Sequence, residues 1–269
     1  MEHFAGILSR LLRPGSFLDL QNAQIECSNR FVAGNGLPAA SDGYKSDLHN
    51  AEFGAENSTV IAKMQQCCPD IIVVTGDVVD AEKTNTDIAV AFLQKAIEIA
   101  PVYFVPGNHE LKIREQYAGF RERIAVLGVT ILEDRSISIS KTTEYINLVG
   151  IIDPMFYGDD YAITKERLCK LKSQCTGFTI LLSHRPELFA MYAGIGFDLV
   201  FSGHAHGGQF VLPGIGGLFA PHQGFFSKYA AGVYEKDGIS MVVSHGLGNS
   251  SFPIRLNNHP ELILVTLIG

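Results

Sequence analysis

The sequence predicts an α/β fold with mixed sheets, and three observations carry that prediction. Apolar runs that end in glycine alternate with segments of helical periodicity. The intervals between the runs suit strand–helix–strand units. The last third of the chain is rich in strands and hairpin-like glycines, which point to antiparallel pairs beside the parallel ones. The chain has 269 residues, enough for one large domain or two small ones. A hydrophobic content of 46% against 18% charged residues marks it as globular.

The elements follow in order. DIIVVTGD (Asp70–Asp77) is a continuous apolar run closed by Gly76, as expected of a strand buried on both faces. Asn85–Ala100 repeats apolar residues at helical spacing behind a polar N-cap. PVYFVPGN (Pro101–Asn108) reads as the next strand and Glu110–Gly128 as the next helix. EYINLVGI, GFTILLSH, FDLVFSGH, GISMVVSHG and ELILVTL read as later strands. No repeat, low-complexity tract or linker interrupts them. Residues 1–40 read as a leader and edge segment, and 41–269 as a single domain.

Charge and cysteine usage exclude some classes. The net charge is −7 and no basic stripe is present, so nucleic acid is not expected as a partner. Five cysteines, with Cys67 and Cys68 adjacent, form no disulfide framework. They point to a reducing, cytoplasmic setting with the thiols as buried apolar residues. The opening stretch, MEHFAGILSRLLRPG, is broken by Arg10 and Arg13, is too short to span a bilayer and makes a poor signal peptide. Two readings of it stay open: a frayed leader helix, and an interfacial helix giving peripheral membrane contact.

The informative residues stand where the apolar runs stop. VVTGDVVD puts Asp77 at a strand end, with Asp80 three residues on. FVPGNHE puts Asn108 and His109 there, LLSHRPE puts His184, and FSGHAHGG puts His204 and His206; KSDLHN supplies Asp47 and His49. Asp47, Asp77 and Asn108 lie 30 and 31 residues apart, so successive units bring them to one sheet edge, where ligands of α/β proteins gather. Each motif alone reads as a turn or a helix cap. Together they make the ligand set of a dinuclear metal centre. Mixed imidazole and oxygen donors suit two divalent ions of Mn, Fe or Zn better than Mg. Asp77 is the natural bridge, and the Asn108 amide oxygen binds without adding charge. Two ions about 3.5–4 Å apart can share a hydroxide and clamp a phosphoryl oxygen. His204 and His206, two apart on an extended backbone, are expected to point the same way, with Ala205 facing away.

The order Asp-X-His, Gly-Asp-X-X-Asp, Gly-Asn-His-Glu, His, Gly-His-X-His resembles the calcineurin-like metallophosphoesterase superfamily. With GHAHGGQ and GLGNSSFPIR, the chain looks most like its bacterial YkuE-like branch. The resemblance implies a four-layer α-β-β-α sandwich of two mixed sheets flanked by helices. It implies a metal-dependent phosphohydrolase acting on a phosphomonoester, phosphodiester or pyrophosphate of a small phosphorylated substrate. Asp47, His49, Asp77 and His206 would hold one ion; Asp77, Asn108, His184 and His204 the other. His109 would face the leaving-group oxygen as a general acid or as a charge stabiliser, with Asp80 orienting its ring and raising its pKa.

One stretch departs from the family pattern. Members carry an apolar strand before Ser-Asp-X-His, whereas here the preceding residues are PAASDGYK. That strand reads as shortened or missing, which leaves Asp47 and His49 poorly anchored. It also opens the alternative of a binding module with the fold and little catalysis. Arg255, in SFPIR, reads either as a phosphate contact or as an ordinary structural arginine.

Overall fold

Side chains alternate sides along a strand, and in this chain the alternation separates three apolar layers. Ile71 and Val73 face one cluster, while Ile72 and Val74 face another. The computed structural model of the protein describes residues 26–33, 40–45, 47–141, 144–212, 214, 216–249 and 254–268. The stretch read as a leader or membrane contact, residues 1–25, lies outside the described residues.

The chain runs through β1 (Glu26–Ala33), β2 (Ala40–Lys45), α1 (Ser58–Cys67), β3 (Ile71–Val74), α2 (Thr86–Ile97), β4 (Val102–Phe104), α3 (Asn108–Lys112), α4 (Arg114–Val126) and β5 (Thr130–Ile131). It continues through β6 (Arg135–Lys141), β7 (Glu144–Gly150), α5 (Tyr161–Ser173), β8 (Thr179–Leu182), α6 (Phe189–Ile195) and β9 (Leu199–Ser202). Two small hairpins follow, β10 (Val211–Leu212) with β11 (Gly216–Gly217) and β12 (Phe219–Ala220) with β13 (Gly224–Phe225). The last strands are β14 (Gly232–Lys236), β15 (Ile239–Val243) and β16 (Glu261–Ile268).

Two six-stranded sheets result, in the orders β1-β16-β2-β3-β4-β5 and β14-β15-β9-β8-β7-β6. Both are mixed. β2 to β5 run parallel, as do β7, β8, β9 and β15, while β16–β2, β6–β7 and β14–β15 are antiparallel. The sheets face each other through Val73, Val105, Leu148, Ile180, Phe201 and Val265. Helices α1, α2 and α4 cover the first sheet with Met64, Phe92 and Phe120. Helices α5 and α6 cover the second with Leu168, Leu171 and Phe189. The four-layer α-β-β-α architecture is therefore the one expected.

Three expectations need correction. The segment ASDGYK, read as a shortened or missing strand, is β2. Its backbone pairs with Ile263–Leu267 of β16 on one side and with Ile71–Val74 of β3 on the other. A backbone paired on both sides is less dependent on its own strand propensity, which is context-driven in any case. The helix expected over Glu110–Gly128 is split at Ile113, whose φ −86° and ψ 14° leave the helical region. The thiols expected to be buried are not, among the described side chains: Cys68 and Cys169 are exposed, and Cys67 and Cys175 are half-buried. One strand passed unread although its signal is plain. RSISISK (β6) alternates serine and isoleucine, and Ile137 and Ile139 pack between the sheets.

The segment after β2 is pinned as well. Asp47 N–H donates to Gly76 O at 3.0 Å, His49 N–H to Asp77 O at 3.0 Å, and Gly248 N–H to Asp47 O at 2.7 Å. Inserting Ile-Val-Val-Ile between Lys45 and Ser46 would pull these pairs out of register. The insertion is expected to lower the melting temperature by roughly 4–10 °C, since 1 kcal/mol shifts a domain of this size by about 2–4 °C. A thermal melt that is unchanged or raised would show that β2 is incomplete after all.

Candidate metal centre

Asp47 and His49 follow β2, Asp77 follows β3, and Asn108 and His109 open α3 just after β4. His184 follows β8, and His204 and His206 follow β9. Every one of these side chains is buried. The two sheets thus deliver them to one edge, as the spacing predicts. Asp47, His49, Asp77, His204 and His206 all have φ between 47° and 67°, the left-handed region that non-glycine residues rarely occupy. Such residues cost of order 1 kcal/mol or more each, and they cluster where a surrounding structure enforces them.

The donor atoms fall into two groups. Asp77 Oδ2, Asn108 Oδ1 and His204 Nδ1 each lie 3.1 Å from His184 Nε2. One ring proton on Nε2 cannot serve three acceptors at once, whereas a cation among the four atoms would serve them all. In the second group His49 Nε2 lies 3.2 Å from His206 Nε2, His206 Nε2 lies 3.6 Å from Asp47 Oδ1, and His49 Nε2 lies 3.6 Å from Asp77 Oδ2. Asp77 Oδ2 is common to both groups. Two imidazole nitrogens facing each other beside two carboxylates again match a metal better than a proton.

Several residues hold these donors in place. The buried Glu110 carboxylate accepts N–H bonds from Asp77 at 2.7 Å, Val78 at 2.8 Å, Val79 at 3.1 Å and Gly107 at 2.8 Å. It therefore ties the loop after β3 to the loop after β4. Those loops touch at Gly107, where a Cβ would stand 2.3 Å from Asp77 Oδ1. Asp47 supports His204: its carboxylate oxygens accept the His204 backbone N–H at 3.0 and 3.2 Å. His184 Nδ1 is 2.6 Å from Thr75 O, which orients its ring. Next to it, Arg185 is fully buried and grips Asp153 through Nε at 2.5 Å and Nη2 at 2.7 Å.

Four details differ from the sequence reading. Asp80 does not orient His109: its Oδ2 lies 3.4 Å from His49 Nδ1, and His109 Nδ1 instead accepts the Ala81 N–H at 3.0 Å. The pKa of His109 is not raised; burial lowers it, to about 4. His204 and His206 do not sit on extended backbone, because φ is positive at both and Ala205 between them is helical. The turn sends His204 to the Asp77 group and His206 to the Asp47 group. Arg255 contacts no open site: it is fully buried, and its guanidinium donates to Asn249 Oδ1 at 3.0 Å, His245 O at 2.8 Å and Gly248 O. It braces the loop that covers Asp47.

Sequence reasoning missed Glu110, the Arg185–Asp153 pair and His222. Glu110 stands inside the PGNHE motif and could have been read as the third helical position reaching back to the N-cap. His222, on the β12–β13 turn, lies with Nδ1 2.9 Å from His204 Nε2, and no spacing in the sequence signals it.

The electrostatics describe a site short of positive charge. Burial opposes protonation of His184, yet Asp77, helped by Asp47 and Asp153, raises its pKa to about 10. Burial also opposes ionisation of Asp77, but His184, His109 and His49 hold it well below the usual carboxylate range. Burial keeps His204 and His206 neutral, their pKa values well below normal, so their lone pairs are free for a metal. Burial and the Asp77 charge push Glu110 up, to about 7, against its backbone donors.

The comparisons with known proteins agree with this geometry. Residues 46–208 match the family described as calcineurin-like phosphoesterase. The chain is 28% identical over 260 residues to the uncharacterized metallophosphoesterase YkuE of Bacillus subtilis (strain 168), covering 92% of this chain and 87% of that one. It is 28% identical over 231 residues to the phosphodiesterase YaeI of Escherichia coli (strain K12), covering 84% and 81%. Among solved structures, a dimetal phosphatase from Danio rerio shares the fold at a TM-score of 0.50 with 12% identity, covering 78% of this chain and 88% of that one.

Two outcomes are expected from this geometry. Glu110→Ala leaves four backbone N–H groups without their acceptor and should cost at least about 3 kcal/mol, read as a lower urea midpoint. In chelator-treated protein, the contribution of protonated His184 is fully present below its unfolded value of 6.5 and is lost as pH rises towards about 10. Urea unfolding at pH 6, 8 and 10 should show that decline, and added Mn²⁺ should flatten it by taking the place of the proton.

Proposed function

The chain belongs to the calcineurin-like phosphoesterase family, and from that premise we propose that it hydrolyses a phosphoester or pyrophosphate bond of a small phosphorylated substrate with two divalent ions of Mn, Fe or Zn. The observation that carries this reading is the sharing of Asp77 Oδ2 between two sets of donor atoms. Asp47, His49, Asp77 and His206 would hold one ion, and Asp77, Asn108, His184 and His204 the other. Such a pair supplies Lewis acidity, lowering the pKa of bound water and withdrawing charge from phosphoryl oxygens. The names of two relatives support the reading: one is a phosphodiesterase and the other a dimetal phosphatase.

The residues of the chain do the rest. Asp77 is held in place through its second oxygen, Oδ1, which accepts the His109 N–H at 2.8 Å. His109 stays neutral near pH 7, and because its Nδ1 accepts the Ala81 N–H, its own proton sits on Nε2. That Nε2–H is the donor available to a leaving-group or phosphoryl oxygen. The His109 ring meets the His49 ring edge-on, with centroids 4.5 Å apart, so it borders the second donor group. Asp80 acts one step back, fixing the His49 ring through Nδ1 and leaving Nε2 to face the site. The alternative of a catalytically weak binding module rested on a missing strand, and β2 is present with Asp47 and His49 pinned behind it.

Two measurements test the proposal. Protein purified without chelator should carry about two transition-metal ions per chain, and Asp77→Asn should lower both and bring turnover of a chromogenic phosphoester below detection. His109→Ala should keep its metal and lose about 10²–10⁴-fold in turnover, with the loss shrinking for substrates whose leaving groups need no proton. Loss of metal in the His109 variant would show that the ring is a ligand and not a donor.

A further inference from the structure

Helix α3 serves two places. Its first turn carries Asn108 and His109, and its last turn carries Leu111 and Lys112 into the wall of a separate cavity of about 780 Å³. That volume lies in the range of small-molecule sites. Leu111, Ile152, Met155 and Phe156 give the cavity an apolar wall. Phe156 is 63% exposed, and its ring meets the Tyr157 ring edge-on with centroids 5.3 Å apart, which leaves most of its surface open. Ile152 directly precedes Asp153, the residue that clamps Arg185 beside His184. The cavity is therefore bounded by the same two segments that position the metal centre.

Its charges are not balanced. The acids of the wall are engaged: Glu133 accepts from the Tyr117 hydroxyl and Arg121, and Asp134 accepts from the Tyr157 hydroxyl, Arg167 and the Ile152 N–H. Arg167 is thereby neutralised and lies over the Tyr157 ring, 4.6 Å from its centroid. Lys112 and Arg114 are exposed, and neither has an acceptor among the described residues. They stand out in a chain of net charge −7. The Lys112 ammonium is also close enough to His109 and His222 for its charge to bear on both rings.

We propose that this cavity is a substrate subsite, which takes the part of the substrate beyond the scissile phosphoester: an apolar or aromatic body bearing a second anionic group. Lys112 and Arg114 bind the anion, and Leu111, Met155 and Phe156 cover the body. The inference rests on the phosphoesterase reading of the neighbouring site. Two sources share this chemistry, a nucleoside diphosphate and a short-chain anionic phospholipid, and the test separates them.

The full chain, loaded with Mn²⁺, is titrated by calorimetry with α,β-methylene adenosine diphosphate in one arm and dihexanoyl phosphatidylglycerol phosphate, which carries a second phosphate, in the other. Inorganic phosphate is the reference. One arm is expected to bind more tightly than inorganic phosphate, and the tighter arm identifies the source. The double variant Lys112→Glu, Arg114→Glu is expected to weaken it at least about tenfold, a change of about 1.4 kcal/mol, with metal content unchanged. Phe156→Ala, at an exposed position, is expected to weaken the same arm and guards against misfolding of the double variant. If neither probe binds better than inorganic phosphate, or if both sets of substitutions leave affinity unchanged, the subsite is refuted. If charge-dependent binding is found in a protein that hydrolyses no phosphoester, the cavity assignment stands and the phosphoesterase reading falls.

Discussion

The Glu110 carboxylate is the contact on which the candidate site depends. Four backbone N–H groups from two separate loops converge on its two oxygens. A buried carboxylate is costly unless it is fully hydrogen-bonded, and here the bonds it needs are those that close the loops after β3 and β4 on each other. Asp77 inherits its position from this closure. Its N–H goes to Glu110, its Oδ1 receives the His109 N–H, and only Oδ2 is left to face both donor groups. The glycine at position 107 is part of the same constraint, because any side chain there would strike Asp77.

That arrangement concentrates unfavourable terms at one edge of the fold. Left-handed backbone at Asp47, His49, Asp77, His204 and His206, the three buried carboxylates of Asp47, Asp77 and Glu110, and a cluster of imidazoles all oppose folding. The three apolar layers supply the compensation, since β3, β4, β8 and β9, which end at the site, are buried along their length. A metal ion would relieve the charge imbalance that now raises His184. Stability and the binding of such an ion would therefore be coupled through the same side chains.

One short helix links the candidate metal centre to the neighbouring cavity. Helix α3 is too short to be cut off from its own ends: Asn108 and His109 lie in the site and Lys112 lies on the wall of the neighbouring cavity. The break at Ile113 releases α4 to pack Phe120 and Ile124 on the first sheet without dragging α3 with it. A continuous helix, as its periodicity suggested, would have tied the direction of α3 to that packing.

By itself, the sequence determined the alternation of strands and helices, the mixed sheets and the set of residues brought to the strand ends. Those features are local: apolar period, glycine and side-chain type at the end of each run carry them, as in DIIVVTGD and FDLVFSGH. It could not show that ASDGYK is a central strand, because the cause lies in β3 and β16 on either side and not in its own residues. Nor could it decide which carboxylate meets which imidazole. Asp80 lies in the chain as close to Asp77 as a partner for His109 needs, yet the turn after β3 aims it at His49. Arg255 and His222 show the same limit from opposite sides. One is a basic residue spent on loop carbonyls, the other an unremarked turn residue set against His204. Residue type states what a side chain can do; only the packing of distant segments decides what stands within 3 Å or so of it.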